Sequence, residues 1–185
     1  FELYKEGLAN KVFIENGLIS KFTYNNIVMA GVLLGAFAWV EEFLYDYKSM
    51  LDKKDRESFF NYNLAILYYR KPDYDKAMEL LRSVEFNDVL HNLDARRMLL
   101  KIYYELKEYD ALSSLLISFH AFIYRHKELG YHKTNYLNLI RFTKKLLQLD
   151  FYNKEAVINL VTEIESTGSL AEKKWLLDQL KDQRT

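Results

Sequence analysis

The sequence predicts an all-α fold, a right-handed solenoid of antiparallel helical hairpins. Three observations carry that expectation. Proline occurs once (Pro72) and glycine six times in 185 residues, a composition poor in chain breakers that serves helices better than strands and turns. Apolar residues recur at spacings of three and four. The chain also matches itself at an offset of 35 residues, because LAILYYRKPDYDKAMELLRS (64–83) aligns with LLKIYYELKEYDALSSLLIS (99–118). A fixed period of that length marks stacked repeats, each too small to bury its own apolar face.

Each repeat reads as two helices and a short turn. In the clearest copy, Leu64, Leu67 and Tyr68 lie on one face, and Ala77, Leu80, Leu81 and Val84 on the next, with a break at Lys71–Asp73. Pro72 cannot continue a helix, and Asp73 is placed to cap the one that follows. The hairpin 56–84 follows from these residues, and the offset places the next at 92–126.

The run NIVMAGVLLGAFAWVEE (26–42) has no charged side chain from Ile27 to Val40. It is shorter than the roughly 20 residues that span a bilayer. Phe37, Val40 and Leu44 stand 37 residues before Tyr74, Ala77 and Leu81. That register puts Gly35 and Ala36 in a turn and makes 23–51 a hairpin of the same kind. Gly31 then lies inside the first helix, where its missing side chain admits a neighbour at a helix-propensity cost of about 1 kcal/mol.

Extending the register outward, 1–16 reads as a partial repeat, a helix from Phe1 to Glu15 stopped at Asn16-Gly17. Its Phe1, Leu3, Leu8 and Phe13 should form an exposed apolar end. A degenerate hairpin is expected over 132–164. A capping helix follows over 169–183, opened by Ser169 and Glu172 as a capping box and covering the end of the stack with Trp175, Leu176, Leu177 and Leu180. The expected organisation is one repeat domain over 1–185.

The repeat resembles the tetratricopeptide repeat. Leu64, Ala65, Tyr68, Tyr74, Ala77 and Leu81 stand at that family's signature spacing. The second copy departs from it, with Leu100 and Leu112 at the two small-residue positions. The resemblance implies a non-catalytic scaffold that binds a peptide or protein in a concave groove lined by the first helix of each hairpin. The matching positions are Asn25, Met29 and Val32 in the first copy, Tyr62, Ile66, Tyr69 and Arg70 in the second, and Arg97, Lys101, Tyr104 and Glu105 in the third. For the tyrosines, core packing is the competing assignment. A subset of the family clamps a chaperone's terminal carboxylate, but Asn25, Met29, Asp94 and Met98 stand where most of the clamp's Lys, Asn and Arg would be needed, so no such clamp is expected.

Chemistry of other kinds is not signalled. There is no cysteine, which excludes disulfides and thiolate metal sites and fits a reducing, cytoplasmic setting. His91, His120, His126 and His132 lack zinc spacing, no glycine-rich phosphate loop follows a strand, and no nucleophile elbow is present. Neither an enzyme nor a cofactor is expected, and no signal peptide is read. Lys plus Arg equals Asp plus Glu at 26 each, so attraction to nucleic acid or another anion would have to be local. Arg125, Lys127, Lys133, Arg141, Lys144 and Lys145 are the candidates for it, with the three later histidines interleaved. A purely structural role, as spacer or self-associating segment of a larger protein, is the third possibility.

Overall fold

The computed structural model describes every residue except Glu85, Asn87 and 183–185, and the Asp182 side chain also falls outside it. The fold is all-α, with 75% of the chain helical. Its contacts divide the chain into two compact units, Phe1–Leu106 and Lys107–Thr185. The boundary falls inside the range expected as the hairpin 92–126, so its two helices belong to different units.

The first unit opens with α1 (Glu2–Ala9), followed by two short antiparallel strands, β1 (Ile14–Glu15) and β2 (Leu18–Ile19). This corrects the expected continuous helix to Glu15. Lys11 adopts φ +55° and the Val12 amide donates to the Gly7 carbonyl at 2.8 Å, which closes the helix early. Asn16 and Gly17, at φ +50° and +78°, form the two-residue turn of the hairpin rather than a helix end. The expected apolar end is also largely covered. Leu8 is buried, the Phe1 ring meets Trp39 edge-on at 4.9 Å, and Phe13 lies against Gly7 and Tyr4, which leaves Leu3 exposed.

Helices α2 (Lys21–Leu33) and α3 (Phe37–Tyr47) form the first pair. Ser20 caps α2 by accepting from the Thr23 amide at 3.0 Å. Gly35 at φ +72° makes the turn, and the Ala36 amide returns to the Gly31 carbonyl at 3.0 Å. Tyr24 is fully buried, with its hydroxyl donating to the Leu44 carbonyl at 2.8 Å and so joining the two helices. The pair α4 (Arg56–Arg70) and α5 (Tyr74–Arg82) follows, with Asp73 capping α5 through the Lys76 amide. Helix α4 packs on α2, α3 and α5, and α5 on α6 (Val89–Glu105). Leu67, Ala77, Leu93, Leu100 and Ile102 are wholly enclosed in this core.

A polar link supplements the apolar packing of α3 on α4. Glu41 accepts from Lys71 Nζ at 2.9 Å and from the Tyr68 hydroxyl at 3.2 Å. The Lys71 hydrogen bond and charge, with the Tyr68 hydroxyl, hold the Glu41 carboxyl below its usual range against an opposing effect of burial. A carboxylate whose folded-state value is depressed contributes stability that is fully present above its unfolded value and is lost as pH falls through the folded one. Glu41→Gln should therefore flatten the loss of stability below about pH 4, measured by urea denaturation across an acid series.

The second unit contains α7 (Tyr109–Arg125), α8 (Tyr131–Leu147), α9 (Lys154–Ser166) and α10 (Lys173–Asp182). Its core is built from Leu112, Leu116, Phe119 and Ile123 on α7, Leu139, Ile140 and Phe142 on α8, and Val157, Leu160 and Ile164 on α9. Helix α10 packs on both α8 and α9 with Trp175, Leu176 and Leu180 buried. The expected capping box is not the device that starts it. Ser169 lies four residues before the helix, where its carbonyl accepts from Asn138 Nδ2 at 2.7 Å, and Glu172 precedes the first turn at φ +55°. Residue 183, the end of the expected cap, lies outside the described residues. No described helix is long and apolar enough to cross a membrane.

Candidate functional site

Three helices of the first unit present one face each to a common concavity of about 200 Å³. Helix α2 contributes Asn25 and Met29, α4 contributes Tyr62, Ile66, Tyr69 and Arg70, and α6 contributes Asp94, Arg97, Met98 and Lys101. Spacings of three and four within each helix put these side chains on one side, which is why the sequence brings them together. Eight of the eleven expected groove residues line the concavity: Asn25, Met29, Tyr62, Ile66, Tyr69, Arg70, Arg97 and Lys101.

The other three, Val32, Tyr104 and Glu105, do not. Tyr104 is buried and Glu105 half-buried, and neither lines the hollow. Val32 is also buried. Asp94 and Met98 complete the lining and were read only as departures from the carboxylate clamp. They stand three residues before Arg97 and Lys101, so helical spacing was a signal that could have placed them.

The helices run in the same direction across the groove. At one end Lys21 lies over the Phe59 ring at 5.0 Å, and the Tyr62 ring meets His91 at 6.3 Å. At the other, Lys101 Nζ sits 5.1 Å from the Tyr69 ring centre, and Tyr69 packs beside Tyr74 at 5.6 Å. Between them Arg97 Nε reaches Asp94 Oδ1 at 3.3 Å.

Burial pushes the Tyr62 hydroxyl well above its ordinary range; the Asp94 charge adds to this and Arg97 opposes it. The Tyr74 hydroxyl is raised in the same way, by burial and then by the charge of Glu105. Both are therefore neutral hydrogen-bonding groups at physiological pH. Asn25 Oδ1 is enclosed with no hydrogen-bond partner among the described residues, which leaves a polar atom at the groove wall with unmet capacity. Asn63, next to Tyr62 on α4, is fully buried and donates its amide to the Phe59 carbonyl of its own helix at 2.8 Å, and it does not line the groove.

A larger hollow of about 610 Å³ opens between the β-hairpin and the start of α2. Of the charged residues that line it, Lys21 and Asp55 pair with each other at 3.1 Å. Among the described residues no group of three or more His, Asp or Glu side chains could hold a metal ion.

The basic residues of the second unit are distributed along α8 and the end of α7. Arg125 and Lys127 are exposed at the end of α7 and just beyond it, and Lys133 lies over the Tyr124 ring at 4.5 Å. Arg141 and Lys145 both face Glu163 of α9, at 3.7 and 2.5 Å. Lys144 is exposed beside them. Lys133 and Arg141 are eight residues apart on α8, about 12 Å at 1.5 Å per residue. The set is thus two groups, the second partly neutralised.

No protein-family model matches the chain, and no curated protein or solved structure is significantly similar to it.

Proposed function

We propose that this chain is a non-catalytic protein-interaction module, a tetratricopeptide-like array that takes a peptide or protein segment in the groove of α2, α4 and α6. The observation that supports the reading is the convergence on one concavity of eight residues expected at groove positions from the tetratricopeptide resemblance. Their chemistry suits recognition. Tyr and Arg are residue types that carry binding energy at interfaces, and Met adapts to irregular partners. A volume of about 200 Å³ is smaller than the roughly 300–1,000 Å³ of sites that enclose a small ligand, which favours side chains of a macromolecular partner.

The test is a pull-down from source-cell lysate with the native protein and with a variant carrying Tyr69→Ala, Arg70→Ala, Arg97→Ala and Lys101→Ala, each with and without nuclease. Circular dichroism should show the same helix content in both. The expected result is a protein retained by the native chain, indifferent to nuclease and lost from the variant. Equal recovery by both proteins contradicts the groove as the site. Loss on nuclease treatment moves the function to the basic residues of the second unit.

A further inference from the structure

The groove is chemically graded along its three parallel helices. Its first end carries the polar groups Asn25, Tyr62 and Asp94, its middle the apolar Met29, Ile66 and Met98 with Arg97 facing Asp94, and its last end Arg70 and the Lys101 that lies over the Tyr69 ring. The lining holds three cations (Arg70, Arg97, Lys101) against one carboxylate, Asp94, which already faces Arg97 at 3.3 Å. Glu105 stands one turn beyond Lys101 and outside the lining, and the balance stays positive even when it is counted. This excess is local, since the chain as a whole is neutral. A partner seated here gains from negative charge at one end of the groove and from an apolar side chain in the middle.

Resting on the groove reading above, we propose that the partner is an acidic internal segment of a protein. Its aliphatic side chain seats on Met29, Ile66 and Met98, and an adjacent Asp or Glu side chain lies against Arg70 and Lys101. Arg70 is exposed and presents a planar donor fork suited to a carboxylate, while Lys101, held over the Tyr69 ring, supplies a second charge from the opposite helix. Asn25, Met29, Asp94 and Met98 do not supply the cations of a carboxylate clamp, so recognition of a carboxylate falls to Arg70 and Lys101.

The experiment uses fluorescein-labelled peptides with amidated C-termini and a common leucine-centred frame, flanked by Asp and Glu, by Asn and Gln, or by Lys and Arg. Anisotropy titrations against the native chain and against R70E/K101E give the affinities. The native chain should bind the acidic frame about tenfold or more tighter than the neutral one, with the advantage shrinking as salt is raised. The charge-reversed variant should prefer the basic frame, and that inversion also shows the variant to be folded. Neutral or basic frames binding the native chain as tightly as the acidic one, with binding still lost in Tyr69→Ala, would overturn the acidic preference and leave a peptide groove. Binding of none of the three frames would also overturn it, and the pull-down then decides separately whether the groove binds protein.

Discussion

Phe59→Ala should cost the protein about 3–5 kcal/mol, the range for truncating a buried aromatic. Phe59 is 1% exposed on α4, and its ring meets Phe86 at 5.0 Å and His91 of α6 at 4.8 Å, both edge-on, with Lys21 of α2 over it at 5.0 Å. One side chain therefore touches all three groove helices near their first ends. Such rings cannot close over the cavity without moving a helix, so the lost transfer energy and the cavity cost add. Urea denaturation followed by circular dichroism should show a lower midpoint with an unchanged slope. Because the same ring sets the spacing of α2, α4 and α6, peptide binding should weaken in this variant even under conditions where it remains folded. Phe59→Leu, which keeps most of the volume, should lose much less.

Gly31→Val should be destabilising by about 1–3 kcal/mol, although valine is the better helix former. A Cβ at Gly31 would collide with Val40 Cγ2 and lie 3.1 Å from the Phe1 ring. Val40 is fully buried, and its branched side chain has little rotamer freedom with which to yield. The close approach of α3 to α2 depends on this absent side chain. Val40→Ala alone should also destabilise, by leaving a cavity, but the double variant should lose less than the sum of the two. A coupling energy of zero in a double-mutant cycle would show that the contact is not the cause.

The helix pairs were legible in the sequence because apolar spacing and the break at Pro72-Asp73 are local properties. The expected hairpins at 23–51, 56–84 and 132–164 correspond to α2/α3, α4/α5 and α8/α9. What failed was local punctuation with two meanings. Asn-Gly ends a helix or turns a hairpin, and only the early closure at Lys11, which no residue preference announces, decides between them at Asn16-Gly17. Likewise Ser169 and Glu172 have the spacing of a capping box, but the Ser169 carbonyl is drawn to Asn138, 31 residues away, and the helix starts later. Tertiary contacts of that kind leave no trace in a window of ten residues.

The candidate site was legible to the same degree. The resemblance to the tetratricopeptide repeat named eight of its lining residues, and helical spacing puts each helix's set on one face. It also named Tyr104 and Glu105, because spacing gives a side chain's direction but not where the neighbouring helix ends. The basic cluster shows the converse error. Arg141, Lys144 and Lys145 share part of a helical face in sequence, and Glu163 on α9, 18 residues past Lys145, offsets one of their three charges. Charge runs report a field only after their partners on other elements are known.

Methyl NMR of the isotope-labelled chain, titrated with the partner recovered in the pull-down, tests the central claim most directly. The account predicts that the methyl signals of Met29, Ile66 and Met98 shift on binding, while those of Ile117 and Ile158, exposed on the second unit, stay in place. Shifts confined to the second unit, with the three groove methyls unmoved at saturation, would contradict it.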